Sequence, residues 1–194
     1  MPKLIGINKI KIAVFISGNG SNLKNLISYS LKKKSNYKIQ LVISNKSTSK
    51  GLKYAKKFRI KKKIINYSNK EKAEKDILIE LNKNKIDLVC LAGFMKILSN
   101  NFIKKFKGKI INIHPSLLPK YKGLNTHQRA IDNKEKYAGC TVHYVNSRLD
   151  SGKIIMQKKV RILKTDSSIT LKKRVLKKEH ILYPKALKKV LINL

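Results

Sequence analysis

KIINIHPSLLP, residues 109–119, is the stretch whose reading decides the fold. The apolar run 110–113 has the length and β-branched composition of a buried strand, and Pro115 then forbids further ladder bonding. Side chains alternate across a strand, so Asn112 and His114 share one face while Ile111 and Ile113 share the other. One strand end therefore presents an amide and an imidazole together where the chain leaves the sheet. Asn offers a neutral donor, and His exchanges a proton near neutral pH. The pair suits a reaction in which an oxyanion develops while a proton moves. Taken alone, N-x-H fits equally a strand-end His held by a backbone carbonyl.

Outward from that strand the chain alternates. Strands are expected over 11–17, 37–44, 63–66, 87–92, 109–114, 138–145 and 154–161. Helices are expected over 23–33, 52–58, from a cap at Ser68 or Asn69 to about 84, 99–106 with Ser99 as cap, 126–133, and 168 to about 193 after Asp166 or Ser167. Such alternation calls for a mainly parallel sheet covered on both faces, an α/β domain of three layers with about seven strands. The connection between 138–145 and 154–161 is too short for a crossover, so those two strands pair antiparallel. No repeat, low-complexity tract or linker interrupts the pattern, and a length of 194 residues suits one domain, 1–194.

The formal charge is +36, from 46 Lys and Arg against 10 Asp and Glu. Nearly all of it is Lys, spread over every segment, while Arg occurs only at Arg59, Arg129, Arg148, Arg161 and Arg174. Abundant Lys, Ile and Asn together fit A/T-rich codon usage better than a dedicated nucleic-acid surface, which concentrates Arg and Lys on one face. The field should still draw in anionic substrates. The N-terminal residues 1–17 are basic and then apolar, but Lys9 and Lys11 interrupt any signal-like core, and no run is long enough for a membrane span. Cys90 and Cys140 lie in apolar surroundings without C-x-x-C spacing, as in a reduced, cytoplasmic protein. The four histidines show no metal-ligand spacing, so no metal is expected.

Gly18-Asn19-Gly20-Ser21-Asn22 stands between a strand and a helix start. Amides and the positive helix end there suit a phosphate, and the Ser21 hydroxyl adds a donor. The sequence is neither G-x-G-x-x-G nor a Walker A loop, so a dinucleotide or nucleoside triphosphate is not indicated. By its own spacing the loop is as consistent with a tight turn. Ligands of open α/β sheets bind beyond the carboxyl ends of the strands, and this loop and the Asn112/His114 strand end lie on the same edge.

ISGNGSNL (16–23), SNK (44–46), LAGFMKIL (91–98), INIHPSLLPKYKGLNTH (111–127), AGCTVHYV (138–145), LDSG (149–152) and EHILYP (179–184) occur in this order over nearly the whole chain. Together they resemble the phosphoribosylglycinamide formyltransferases, folate-dependent enzymes of purine synthesis with a Rossmann-like α/β fold. The resemblance implies formyl transfer from 10-formyltetrahydrofolate to the amine of phosphoribosylglycinamide. It implies Asn112 as holder of the developing oxyanion, His114 as proton shuttle, and Asp150 as the partner that raises the pKa of His114. Gly20, Ser21 and Asn22 would hold the substrate phosphate and Glu179 the ribose hydroxyls. Lys70, Met95, Lys96, Ile97, Leu98 and Asn112 would contact the folate, with the Asp150 loop closing round the pterin. A cis peptide is implied at Leu118–Pro119. His143 could line the site or belong to the core, and His127 and His180 read as a helix-surface and a packing residue. The partners implied are small molecules, with neither a specific nucleic acid nor a membrane, in a monomer or weak homodimer.

Some positions depart from the family pattern. Lys70 and Lys96 stand where Arg is usual, which keeps charge but loses the planar fork. Lys153 replaces a more usual Pro in the Asp150 loop. Rival readings are a methionyl-tRNA formyltransferase, which would add an RNA-binding domain and an R-G-A-type sequence after SLLP; a formyltetrahydrofolate deformylase, which would add an N-terminal regulatory domain; a basic nucleic-acid-binding module; and a decayed enzyme. Lys120-Tyr121-Lys122-Gly123-Leu124 follows SLLP here. Charge that arises from composition alone predicts DNA retention at about 50 mM salt that is lost by roughly 0.5 M. A filter-binding titration showing sequence or length preference at the higher salt would instead support a nucleic-acid module.

Overall fold

The computed structural model describes residues 9–192. One seven-stranded sheet has the order β3-β2-β1-β4-β5-β6-β7. Its strands are β1 (Ile10–Ile16), β2 (Tyr37–Ser44), β3 (Lys61–Ile64), β4 (Leu88–Leu91), β5 (Lys109–His114), β6 (Tyr137–Tyr144) and β7 (Ile154–Arg161). The helices are α1 (Ser21–Ser30), α2 (Leu52–Lys57), α3 (Lys70–Lys83), α4 (Asn100–Lys105), α5 (Thr126–Asp132) and α6 (Ser168–Ile192). Every pairing from β3 to β5 is parallel, and β6 pairs antiparallel with both β5 and β7. Only β6 is therefore reversed, and β1, β4 and β5 end together on one edge.

The central strands are apolar on both faces because helices cover both. One core cluster joins Ile12, Val14 and Cys90 to α1 and α6 through Leu23, Leu26, Leu182, Tyr183 and Leu187. The other joins Ala13, Phe15, Val89 and Ile110 to α3 and α4 through Ala73, Ile77, Leu81 and Phe102. The helix starts follow their capping chemistry. Asn69 Oδ1 accepts from the Lys72 N–H at 2.9 Å, Ser99 Oγ from the Phe102 N–H at 3.0 Å, and Ser167 Oγ from the Thr170 N–H at 3.2 Å.

Differences from the expected boundaries have local causes. β3 lies two residues earlier than 63–66, because its register against β2 runs from Leu41↔Lys61 to Ser44↔Ile64. All four β3 residues are exposed on this edge, and the buried Ile65 and Tyr67 follow the strand rather than belong to it. α1 starts at Ser21 and is over by Leu31, so the glycine loop leads directly into its first turn. The expected end of α6 at residue 193 falls outside the described residues. Among the described residues no helix is long and apolar enough to cross a membrane.

Tyr183 fastens α6 to the sheet. It is fully buried, and its hydroxyl lies 2.9 Å from the Leu91 carbonyl and 3.2 Å from that of Ile111, at the joint between β4 and β5. Tyr183→Phe should lower the unfolding free energy by about 1–2 kcal/mol, seen as a reduced urea midpoint at unchanged slope. An unchanged midpoint would mean that this hydroxyl does not tie the helix down.

Candidate active site

β5 delivers Asn112 and His114 to the common edge of the sheet, and the loop after β6 brings Asp150 against them. Asp150 Oδ2 is 3.3 Å from His114 Nδ1 and accepts the Gly123 N–H at 2.9 Å. Its Oδ1 lies 3.5 Å from Asn112 Nδ2 and 3.6 Å from His143 Nε2. Asp150 sits at φ 45°, a left-handed conformation that Asp tolerates better than most side chains. Gly152 fixes the loop behind it: a Cβ there would lie 1.7 Å from the Tyr144 carbonyl oxygen, so only glycine allows the approach.

His143 belongs to this cluster. Its Nδ1 is 2.8 Å from the Tyr144 carbonyl, which can only accept, so the proton of the neutral ring is on Nδ1. Nε2 is then an acceptor for Asn112 Nδ2 at 3.2 Å. This orients the Asn112 amide with its NH₂ toward the imidazole and turns its second N–H toward Asp150 Oδ1, at a long 3.5 Å. The alternation in TVHYV was the available signal, but it fits a core residue equally well. The pairing Asn112↔His143 across the β5–β6 ladder decides it.

His114 Nε2 lies 2.9 Å from the Tyr121 carbonyl, so that nitrogen carries a hydrogen and Nδ1 is the atom free to gain or lose one. Burial lowers the pKa of His114, while the Tyr121 carbonyl and the Asp150 carboxylate raise it and His143 and Arg129 oppose them. The net direction is downward. Asp150 thus acts with the expected sign, but desolvation of a buried ring outweighs it. At Asp150 burial pushes the carboxyl up, yet the His143, Gly123 and His114 contacts prevail and hold it low.

A second group lies at the end of β1. Gly20 precedes α1 at φ 70°, and an added Cβ would come 2.5 Å from the Gly51 Cα, so both conformation and close approach require glycine. Ser21 opens the helix. Asn22 Nδ2 donates to Glu179 Oε2 at 2.7 Å across 157 residues, and both side chains are buried. Asn22 Oδ1 is buried without a hydrogen-bond partner. Burial raises the pKa of Glu179, against the pull of Asn22 and Lys172. The β1 end is joined to the loop after β4, since the Ser17 N–H donates to the Gly93 carbonyl and the Met95 N–H to Ser17 Oγ at 2.8 Å. β4 alone separates β1 from β5, so the two strand ends stand roughly 10 Å apart, two strand spacings, on the same edge.

Residues 94–98 form a wall beside β5. Met95 and Ile97 are about 60% exposed, whereas Leu98 is buried in the core and backs the wall from inside. The Phe94 ring meets Tyr67 at 5.6 Å, and the Lys96 ammonium lies 5.9 Å from the same Tyr67 ring. Lys70, exposed at the start of α3, follows three residues after Tyr67. Leu118–Pro119 is cis, as the resemblance implies. Among the described residues no cluster of His, Cys, Asp or Glu could hold a metal ion.

His127 is not the surface residue expected. It lies half-buried at the start of α5, with Nε2 wholly buried and unpartnered, close enough to Lys172 and His114 to feel both. Burial first, then Lys172 and His114, push its pKa down to about 4. His180 is half-buried, its Nε2 also wholly buried and unpartnered, and burial lowers its pKa.

Residues 10–187 match the family model described as formyl transferase. The trifunctional purine biosynthetic protein adenosine-3 of Homo sapiens is 44% identical over 94% of this chain, which spans 18% of that protein. This chain spans less than a fifth of the length of the trifunctional relatives it matches. The phosphoribosylglycinamide formyltransferase of Haemophilus influenzae is 44% identical over 92% of this chain and 85% of its own length. The crystal structure of phosphoribosylglycinamide formyltransferase from Brucella melitensis superposes with a TM-score of 0.89 at 44% identity, covering 94% of this chain and 95% of that one.

Acid should weaken the fold at this site. A histidine or carboxyl whose pKa is held low in the folded state contributes stability above its ordinary value and loses it as pH falls toward the depressed one. For His127 that window runs from about 6.5 down to about 4. Between pH 7 and pH 4.5 the urea midpoint should fall, and His127→Gln should recover on the order of 1 kcal/mol of the loss, discounted for partial exposure. An identical acid loss in the variant would place the cause elsewhere.

Proposed function

Because the chain belongs to the formyl transferase family, we propose that it transfers the formyl group of 10-formyltetrahydrofolate to the amine of 5-phosphoribosylglycinamide in purine biosynthesis. The observation that carries this reading is the meeting of Asn112, His114 and Asp150 at the sheet edge that also bears the glycine loop and its buried Asn22–Glu179 pair. Residues 1–194 act as one formyltransferase domain. Its partners are small molecules, and it works in the cytoplasm as a monomer or weak homodimer, without a metal.

The folate supplies an electrophilic formyl carbon and the ribonucleotide its own amine nucleophile, so no Ser or Cys nucleophile is required. What remains for the protein is oxyanion stabilisation and proton transfer. With one Asn112 N–H held by His143 and the other only loosely engaged, 3.5 Å from Asp150 Oδ1, Asn112 offers that second N–H to the formyl oxygen. His114, neutral through burial, takes the amine proton at Nδ1 and becomes an imidazolium flanked by Asp150 Oδ2 and the Tyr121 carbonyl. It then returns the proton to the departing folate nitrogen. Asp150 stabilises the charge on His114 without itself becoming protonated.

The ribonucleotide phosphate binds Gly20, Ser21 and the Asn22 backbone, and Glu179 accepts from the ribose hydroxyls. The unpartnered Asn22 Oδ1 gains a donor from the ligand. Met95 and Ile97 offer apolar surface to the pterin with Leu98 behind them, while Lys70 and Lys96 face the folate carboxylates. The excess positive charge favours both anionic substrates.

Absorbance at the folate chromophore should report formyl loss only when the ribonucleotide is present. Consumption without it would indicate a deformylase, and none at all a protein without this activity. Asn112→Ala should cut kcat by roughly a hundredfold or more. Turnover at the unaltered rate would exclude the oxyanion role.

A further inference from the structure

Tyr121 occupies a strained backbone conformation at the centre of the site. Its φ is 56°, in the left-handed region that a bulky side chain disfavours by roughly 1–2 kcal/mol. That conformation turns its carbonyl toward His114 Nε2 at 2.9 Å, while two residues on the Gly123 N–H reaches Asp150 Oδ2 at 2.9 Å. The segment 120–124 thus supplies one partner to each member of the His114–Asp150 pair. Core packing braces it only in part: Tyr121 packs against the edge of the main apolar cluster, and a cleft of about 500 Å³ lined by Ser116, Lys120, Tyr121 and Glu135 adjoins it.

Polar side chains do the rest of the bracing. The Tyr121 hydroxyl donates to Glu135 Oε1 at 2.8 Å, and Lys120 Nζ meets the same oxygen at 2.7 Å. The Arg129 guanidinium lies 5.2 Å from the Tyr121 ring and donates to the Lys122 carbonyl at 2.8 Å and the Leu124 carbonyl at 3.4 Å. Glu135, just beyond α5, is itself anchored by its N–H to the Ala130 carbonyl at 3.0 Å.

We propose that Glu135 is a positioning residue for His114: by holding the Tyr121 hydroxyl it keeps the Tyr121 backbone left-handed and its carbonyl against His114 Nε2. Arg129 completes the clamp from the other side of the ring. Glu135 touches neither His114 nor Asp150, so its effect passes wholly through the Tyr121 main chain. The functional consequence rests on His114 being the proton carrier; the structural consequence does not.

Losing an acceptor at Nε2 disfavours the imidazolium, so the histidine should release its proton at lower pH. The other groups that bear on His114 are Asp150, His143 on β6, and Arg129 and His127 on α5, all of which the test leaves in place. In full-length protein labelled with ¹⁵N-histidine, Glu135→Ala should move the His114 titration about half a pH unit lower. The same variant should lower kcat by roughly threefold to tenfold while KM for both substrates stays within about twofold. Glu135→Gln keeps an acceptor oxygen and should restore both. Tyr121→Phe should reproduce the alanine result, and combining it with Glu135→Ala should add nothing, as expected of two ends of one hydrogen bond. An unmoved His114 titration in both Glu135→Ala and Tyr121→Phe, or a Gln variant as impaired as the Ala one, would overturn the proposal. If the wild-type protein fails to transfer formyl groups, the titration still decides the clamp by itself.

Discussion

The Asp150 carboxylate is the point at which the rest of the structure meets. One oxygen faces His114 Nδ1 and the Gly123 N–H, and the other faces Asn112 and His143. Three chain segments far apart in sequence converge on one anion in a place where water is scarce. A buried carboxylate is costly unless its lone pairs are satisfied, and here the Gly123 N–H and the Asn112 amide donate to it while protonation of His114 would add a charge-assisted bond. That cost is what holds Asp150 in a left-handed turn and draws the 115–125 loop down onto the end of β5.

The fold supplies the frame for this meeting. Parallel β1, β4 and β5 must end on one edge, and β6, being reversed, starts at that edge and leaves opposite the first residues of β5, from where the loop after it returns Asp150 to Asn112 and His114. The same reversal places His143 opposite Asn112. An all-parallel arrangement would carry the chain from β5 over a face of the sheet and leave Asn112 without a cross-strand imidazole. The single antiparallel strand is therefore part of the site and not a decoration of the sheet edge.

Much of this was legible beforehand because it depends on short-range rules. β2, β5 and β7 were read to the residue, since each is a continuous run bounded by turn formers or Pro115. The caps at Asn69 and Ser99 were readable from side-chain chemistry. β3 was misplaced because KKKI carries no apolar alternation: its position is imposed by β2, not by its own side chains. The site shows the same division. Asn112 and His114 share a face by strand geometry, whereas the roles of His143 and Tyr121 depend on pairing register and a carbonyl direction that no local pattern encodes. The upward pull of Asp150 on His114 is readable from the sequence, whereas the larger downward push of burial is not, because charge partners can be read from a sequence and depth of burial cannot.

The lopsided charge makes the few acids informative. In a chain with 46 basic residues, any Asp or Glu finds a lysine by chance, so a random remnant would sit in exposed Lys pairs. Most of the ten do something more specific. Glu74 takes both the N–H and the hydroxyl of Ser99 beneath the 94–98 wall, and Asp87 accepts the Lys11 N–H at the start of the sheet. Asp166 takes the Leu163 N–H, the Thr170 hydroxyl and the Arg174 guanidinium at the head of α6, and Glu179 takes Asn22. Arginine follows the same logic: Arg174 uses the two ends of its planar fork on Asp166 and the Arg161 carbonyl, and Arg129 combines bonds to the Lys122 and Leu124 carbonyls with its place over the Tyr121 ring. Compositional drift toward lysine is therefore tolerated on the solvated surface, where exposed charges interact weakly and salt screens them. The remaining acids hold fixed geometries, some at the site, as Asp150 and Glu179 do, and some far from it, as Asp87 does.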